Sequence, residues 1–119
     1  MTRIFPASLC KAPIAHRALH DLRDGRPENS RAAARAAVAV GYGIEIDIQM
    51  SADGQAMVFH DYELSRLTPA RGTVRSVSAE TLGEVQLIGF GGELFLGELQ
   101  TQGLAQNFVA QSQGGFVFR

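Results

Sequence analysis

The chain has 119 residues, of which 45% are hydrophobic and 19% charged, which is the composition of one soluble domain. Its 11 basic side chains nearly balance 12 acidic ones, and this net charge of −1 argues against a nucleic-acid partner or a polybasic membrane patch. No apolar run approaches the roughly 18 residues of an integral membrane segment, and no signal peptide is evident. Cys10 is the only cysteine, so no intrachain disulfide can form, and we expect a cytoplasmic protein.

The first predicted elements are a short strand, a loop and a helix. Residues 13–16, PIAH, read as a buried strand after a proline, and residues 18–27 form a loop rich in turn formers. The alanine-rich stretch 30–40 is a strong helix former by propensity. Asn29 or Ser30 would cap this helix, because either side-chain oxygen can accept a backbone N–H of the first turn.

The clearest strand covers residues 44–50, where four apolar residues alternate with three polar ones. Glu45 and Asp47 share its polar face and lie about 7 Å apart along the strand, so one divalent cation could take an oxygen from each. Hard oxygen ligands favour Mg²⁺, Ca²⁺ or Mn²⁺ over zinc. The alternation alone is equally consistent with the solvent face of an edge strand.

A hairpin is predicted to follow this strand. Asp53-Gly54 is a strong signal for a two-residue turn, and the apolar run 56–59 leads into His60. A turn centred on Asp53-Gly54 pairs residue 47 with residue 60, which places Asp47 and His60 side by side on one face. A slip of one residue would undo this pairing.

Two histidines each follow a short apolar run at the end of a predicted strand. His16 precedes Arg17, and His60 precedes Asp61. Either histidine alone is more often structural, but two imidazoles can serve as acid and base in phosphoryl transfer. Arg17 can fork onto phosphate oxygens, and a metal ion would neutralise charge on a non-bridging oxygen. Together these residues are suited to the binding and cleavage of a phosphodiester.

The second half of the chain carries weaker signals. Residues 78–87 predict a short helix capped by Ser78, although Gly83 weakens it. The composition changes after residue 92, and from residue 99 onward Arg119 is the single charged residue among several glutamines.

Taken in order, these motifs resemble the glycerophosphodiester phosphodiesterases. The set is His-Arg, then Pro-Glu-Asn before a helix, then E-x-D, then Asp-Gly, then Val-Phe-His-Asp, and it covers roughly residues 13–90. The resemblance implies a TIM barrel with its site at the carboxyl ends of the strands. It also implies that small-molecule glycerophosphodiesters are hydrolysed to glycerol 3-phosphate and an alcohol, with a divalent cation, Mg²⁺ or Ca²⁺, as cofactor.

Eight residues match positions that the resemblance makes functional. They are the acid–base histidines His16 and His60, the metal ligands Glu45 and Asp47, the phosphate-contacting Arg17, and the site-supporting residues Glu28, Asn29 and Asp61. One position departs from the family pattern, because Ala18 stands where a glycine usually follows His-Arg.

The end of the chain departs further from the family pattern. The family's next strand carries E-x-K, whose glutamate completes the metal site, and no such strand is evident here. A full barrel needs roughly 200 residues or more. We therefore expect an incomplete TIM-barrel-type α/β fold, with the first two or three βα units and a β-hairpin that carries the site.

The expected division of the chain follows from this departure. Residues 1–12 are an N-terminal lead-in, residues 13–92 the N-terminal part of a glycerophosphodiester phosphodiesterase domain, and residues 93–119 a divergent, truncated or frame-shifted tail. We expect such a chain to have impaired activity alone and to self-associate through exposed barrel edges.

Two other functions fit parts of the pattern. A phosphatidylinositol-type phospholipase C shares the logic of histidines and an E-x-D strand, although the Asp-Gly hairpin, F-H-D and P-E-N favour the first family. A non-catalytic fragment that binds a metal ion or phosphate would use the same side chains without turnover.

Overall fold

A computed structural model describes residues 7–89 together with the backbone of residues 108–111 and 115–118. It is a small α/β fragment, and most of the tail predicted over residues 93–119 lies outside the described residues. Short 3-10 helices occur at Ala7–Cys10, Leu22–Asp24 and Val74–Ser76. In chain order, the strands and α-helices are β1 (Ile14–Ala15), α1 (Arg31–Ala39), β2 (Gly43–Met50), β3 (Ala56–Val58), α2 (Ala79–Gly83), β4 (Phe108–Gln111) and β5 (Gly115–Phe118).

Strand β2 is the centre of the described sheet. It pairs in parallel with β1, with Ile14 opposite Gly43, so β1, α1 and β2 form a βαβ unit. Toward its carboxyl end β2 pairs antiparallel with β3. The segment from Ile44 to Asp47 also pairs antiparallel with β5, and β4 pairs with β5.

Helix α1 forms where the alanine-rich stretch predicts it. Ser30 is the cap, and its Oγ accepts the Ala33 backbone N–H at 3.1 Å. Ala33 and Ala37 are fully buried, because these small side chains let the helix lie close to the strands beneath it. Of the two residues predicted as caps, Asn29 has a different role, described below.

Replacing Ser30 with alanine should destabilise the fold. The change leaves a first-turn N–H without its acceptor, and we expect the free energy of unfolding to fall by about 1 kcal/mol. Urea denaturation of Ser30→Ala measures this, with the exposed Ser65→Ala as the matched control. Equal urea midpoints for the two variants would contradict the prediction.

The second helix is shorter than predicted. Ser78 caps it as expected, accepting the Thr81 backbone N–H at 3.3 Å, but α2 ends at Gly83. Glycine has low helix propensity, and residues 84–89 are not helical. None of the helices in the described ranges has both the length and the apolar content needed to cross a membrane.

The predicted hairpin register is wrong by one residue. Ile48 faces Val58, and the Phe59 backbone N–H donates to the Asp47 carbonyl at 3.0 Å, so Asp47 lies opposite Phe59 and not His60. The turn has three residues where two were predicted. The Ser51 backbone N–H donates to the Gln55 carbonyl at 2.9 Å, and Gly54 occupies the left-handed position of the turn with φ +80°, which is typical of a three-residue hairpin.

Strand β3 stands between two hydrophobic clusters. Met57 and Phe59 are buried on one face, and Val58 is buried on the other, as the period of two requires. The first cluster contains, in addition, Leu64, Leu67, Val74, Ala79, Leu82 and Leu87. The second contains, in addition, Ala15, Ala18, Ala33, Ala37, Ile44 and Ile46.

Candidate active site

The polar face of β2 is organised by Asn29. The Asn29 Nδ2 donates to Asp47 Oδ2 at 3.0 Å, and the Asp47 backbone N–H donates to Asn29 Oδ1 at 3.1 Å. Asn29 is only 4% exposed. Both ends of its amide are therefore used to orient Asp47, which gives the P-E-N motif a role beyond starting a helix.

Glu45 contacts the turn that follows β1. The Arg17 backbone N–H donates to Glu45 Oε2 at 2.9 Å, and the Ala18 backbone N–H donates to the Glu45 carbonyl at 3.0 Å. His16 Nε2 lies 4.0 Å from Glu45 Oε2, and the His16 side chain is 72% exposed. The turn therefore brings the first histidine to one of the two predicted metal ligands.

Three residues of this region adopt left-handed backbone conformations. The φ angles are +55° at Arg17, +64° at Ala18 and +54° at Asn29. For an L-residue such as Ala18 this conformation costs about 1–2 kcal/mol, and it persists only where surrounding contacts over-determine it. Here the Asn29 backbone N–H donates to the Arg17 carbonyl at 2.8 Å and joins the two strained segments.

The guanidinium of Arg17 lies between two carboxylates. Its Nη1 donates to Glu28 Oε1 at 3.2 Å, and its Nε lies 3.7 Å from Asp47 Oδ2. That Nε is buried and has no hydrogen-bond partner among the described residues. Arg17 therefore has one N–H donor inside the site, at Nε, that no described residue satisfies.

A second arginine, which the sequence analysis missed, completes the ion-pair network. Arg66 Nη2 donates to Glu28 Oε1 and its Nε donates to Asp61 Oδ2, both at 2.6 Å. No periodicity or motif spacing marked Arg66, because its role depends on how the loop after β3 returns toward Glu28.

The imidazole of His60 is held by its neighbour in the chain. His60 Nδ1 lies 2.6 Å from Asp61 Oδ1. Because an ionised carboxylate can only accept, we assign the proton to Nδ1, which leaves Nε2 of a neutral ring with a free lone pair. Such a nitrogen can take up a proton from a substrate hydroxyl or from water.

Electrostatics keep the network ionised. Hydrogen bonding to Arg66, aided by His60, holds the pKa of Asp61 well below its usual range. Burial alone would raise the pKa of Glu28, but hydrogen bonding and attraction to Arg66, with attraction to Arg17, outweigh burial and lower it. The same two carboxylates raise the pKa of Arg66.

The depressed pKa of Asp61 predicts acid-sensitive stability. The unfolded carboxyl takes up a proton below its ordinary value of 3.8, whereas the folded one does not, so stability is present above that pH and is lost as the pH falls below it. Asp61→Asn should therefore lose less stability than the parent chain between about pH 6 and pH 3. Urea midpoints at the two pH values measure this, with exposed Glu80→Gln as control. An unchanged pH difference in Asp61→Asn would contradict the prediction.

An open pocket of about 560 Å³ lies beside these groups. It is lined by Asp47, Gln49, His60 and Asp61, with Ile48, Tyr62 and Glu63. Asp47 and His60 thus line one pocket despite the shifted register, because His60 lies just beyond the end of β3. Gln49, the third polar residue of the β2 face, donates from Nε2 to the His60 carbonyl at 2.9 Å.

The eight predicted site residues are joined by one chain of contacts, but they do not all line the pocket. Five of them lie outside its lining, namely His16, Arg17, Glu28, Asn29 and Glu45. Contacts run from His16 through Glu45 to the Arg17 backbone, and from the Arg17 side chain to Asp47 and Glu28. Arg66 then joins Glu28 to Asp61 and His60.

The two predicted metal ligands could supply part of a coordination sphere. Glu45 and Asp47 each present oxygen donors on one strand face, the donor type that Mg²⁺ and Ca²⁺ prefer. Within residues 7–89, no group of three or more His, Cys, Asp or Glu side chains is placed to hold a metal ion. The two carboxylates fit an ion such as Mg²⁺, which is commonly held by one or two carboxylates together with water and substrate phosphate.

Imidazoles, guanidiniums and carboxylates joined along one strand face are groups suited to phosphoryl transfer. The sequence model of the glycerophosphoryl diester phosphodiesterase family matches residues 16–115. Because this match covers more than half of the chain, the chain belongs to that family. The family predicted from the motifs is therefore confirmed.

Individual relatives support the assignment. A glycerophosphodiester phosphodiesterase from Caldanaerobacter subterraneus is 40% identical over 76 residues, which are 60% of this chain and 30% of that protein. The structure of a glycerophosphodiester phosphodiesterase from Agrobacterium tumefaciens matches with a TM-score of 0.56 and 34% identity, covering 63% of this chain and 31% of the other.

A third relative is an Oleispira antarctica phosphodiesterase, solved in complex with the product sn-glycerol-3-phosphate. It matches with a TM-score of 0.57 and 33% identity, over 63% of this chain and 30% of that one. This chain thus spans 30–31% of the length of the three relatives.

Proposed function

We propose that this chain supplies the first part of a TIM-barrel-type site that hydrolyses glycerophosphodiesters to glycerol 3-phosphate and an alcohol. The observation that carries the proposal is the continuous chain of contacts from His16 to His60 through Arg17, Glu28 and Arg66. Family membership and the named relatives support the same reaction. The proposal includes the expected division of the chain into a lead-in over residues 1–12, a domain part over residues 13–92 and a tail over residues 93–119.

The proposed reaction breaks the P–O bond to the alcohol, with net addition of one water. His16 and His60 act as the acid–base pair, one removing the proton of the attacking oxygen and the other returning a proton to the departing alcohol. The Nε2 of His60 suits this work because its Nδ1 is already held by Asp61. In the first step the attacking oxygen is the neighbouring glycerol hydroxyl, and water then opens the cyclic phosphate.

Arg17 is proposed to contact the substrate phosphate. Its buried Nε, which has no hydrogen-bond partner among the described residues, is a donor that an anionic oxygen would satisfy. Glu28 and Asn29 hold Arg17 and Asp47 in place. Glu45 and Asp47 would hold a divalent cation, which when bound supplies positive charge to a non-bridging phosphate oxygen.

Hydrolysis of glycerophosphocholine by the purified chain, with Mg²⁺ or Ca²⁺ and with a chelator, tests the proposal. We expect slow, cation-dependent release of glycerol 3-phosphate, in keeping with the impaired activity expected of this chain alone, and no release of inositol phosphate from phosphatidylinositol. Cleavage of phosphatidylinositol in preference would favour a phospholipase C. Binding of glycerol 3-phosphate without turnover would favour a non-catalytic fragment, and neither binding nor turnover would refute the proposal.

Self-association is proposed through surfaces that the described residues leave apolar. Val38 and Val40 at the end of α1 are about half exposed, as are Met50 and Ile88, and Leu22 is similar. Neighbouring helices of a complete barrel would cover such side chains. Sedimentation velocity over a range of concentrations should show association, and a monomer at every concentration would contradict it.

A further inference from the structure

The ion pairs of the site separate into two groups if Arg66 is removed. One group surrounds Arg17, Glu28 and the polar face of β2, and the other is the pair His60–Asp61. Among the described residues, Arg66 is the one side chain that contacts carboxylates of both groups, and Gln49 adds a hydrogen bond from the polar face of β2 to the His60 backbone carbonyl. We propose that Arg66 is a positioning residue that fixes the imidazole of His60 relative to Arg17, an inference that rests on the proposed function.

The geometry of Arg66 suits this role. Its Nε and Nη2 donate to Asp61 Oδ2 and Oδ1 at 2.6 and 2.9 Å. Its Nη1 and Nη2 donate to Glu28 Oε2 and Oε1 at 3.2 and 2.6 Å. A planar guanidinium can bind two carboxylates bidentately and set the plane of each, whereas a lysine ammonium acts as a point charge.

The link to His60 runs through a shared oxygen. Asp61 Oδ1 accepts from Arg66 Nη2 and also contacts His60 Nδ1. Arg66 therefore holds the oxygen that receives the proton of His60 Nδ1. Without Arg66, the carboxylates of Glu28 and Asp61 would repel each other, and Asp61 would be free to turn toward water.

A different result is expected if Arg66 forms only an ordinary surface ion pair. Arg66 is 46% exposed, and exposed pairs contribute little to stability. Glu28, however, is only 11% exposed and is held by Arg17 as well. If Arg66 were merely a surface partner, its removal would leave the protonated nitrogen of His60 unchanged.

The test uses the full chain with Arg66→Gln, Arg66→Lys and a control, Arg71→Gln. Arg71 lies in the same loop region and is exposed, and its replacement removes the same charge. Long-range ¹H–¹⁵N correlation spectra at about pH 8, above the ordinary histidine pKa of about 6.5, report which ring nitrogen of each histidine carries the proton. His20 serves as an internal reference.

We expect His60 to carry its proton on Nδ1 in the parent chain and in Arg71→Gln. Arg66→Gln should lose this preference, and Arg66→Lys should retain part of it. An unchanged His60 tautomer in Arg66→Gln would overturn the proposal. If Arg66→Gln does not fold, Arg66→Lys decides, and full retention of the parent tautomer together with the parent kcat would overturn it.

Hydrolysis provides the second measurement. Arg66→Gln should lower kcat by about 10–100-fold with a smaller change in KM, because a misplaced imidazole affects the reacting geometry more than binding. An unchanged kcat would overturn the positioning role. Absence of hydrolysis by the parent chain would count against the proposed function alone, and the tautomer measurement would then decide the role of Arg66.

Discussion

Replacing His60 with alanine is expected to slow glycerophosphodiester hydrolysis by about 10²–10⁴-fold, the usual contribution of a general acid or base. The side chain is 40% exposed, so its loss should change stability little. The rate of glycerol 3-phosphate release at saturating substrate measures the effect. The defect should lie mainly in kcat, because the imidazole is proposed to act on reacting protons.

The third histidine of the chain provides the control for this measurement. His20 is exposed, and within the described residues it acts on the site only through a weak electrostatic attraction that helps to lower the pKa of Glu28. His20→Ala should therefore hydrolyse the substrate at close to the parent rate. A parental rate in His60→Ala, with the urea midpoint unchanged, would remove His60 from the proposed mechanism.

Replacing Phe59 with alanine is expected to lower the free energy of unfolding by about 3–5 kcal/mol, as for other large-to-small changes of buried aromatic residues. Phe59 is 1% exposed and lies in the cluster with Met57 and Leu64. Because small domains are stable by only about 5–15 kcal/mol, this single change would remove much of the total stability. Urea denaturation followed by circular dichroism measures it.

An exposed aromatic residue of the same loop gives the matched control. Tyr62 is 78% exposed, and Tyr62→Ala should change the free energy of unfolding by less than about 0.5 kcal/mol. Similar losses in the two variants would mean that Phe59 is not part of a packed core. Phe59→Leu, which keeps most of the apolar volume, should lose less stability than Phe59→Ala.

Strands β1, β2 and β3 and the first helix could be predicted because their signals are local, whereas β4 and β5 lie in the segment that was expected to be a divergent tail. Strict alternation over residues 44–50 defined β2, and its apolar positions Ile44 and Ile46 are indeed buried. The alanine run and its Ser30 cap defined α1 for the same reason. The family motifs placed Asn29 near the site, but only the folded chain connects its amide with Asp47.

The hairpin register could not be predicted from Asp53-Gly54. Asp-Gly is compatible with a two-residue turn and with a three-residue turn in which glycine takes the left-handed position. The packing of Met57 and Phe59 in one cluster and Val58 in the other accompanies the three-residue turn. Tertiary packing therefore decides between the two turns, and the dipeptide alone does not encode that choice.

Arg66 and the left-handed residues could not be predicted for a related reason. Arg66 is 38 residues from Glu28 in the chain, and no pattern links such distant positions. Alanine usually avoids a positive φ, so Ala18 by itself did not indicate one, although the glycine usual at this position of the family pattern is the residue type that adopts it readily. Both features depend on long-range contacts that form only when the first turn, the helix start and the loop after β3 meet.

Strand β3 lies between the two hydrophobic clusters and contributes a side chain to each. Met57 and the following Phe59 belong to one cluster, Val58 belongs to the other, and His60 comes next in the chain. Loosening of either cluster would therefore reach the imidazole of His60 through a backbone of only a few residues. Hydrogen exchange should find the amides of β3 and of the facing part of β2 opening together, as one cooperative unit rather than as two separate ones.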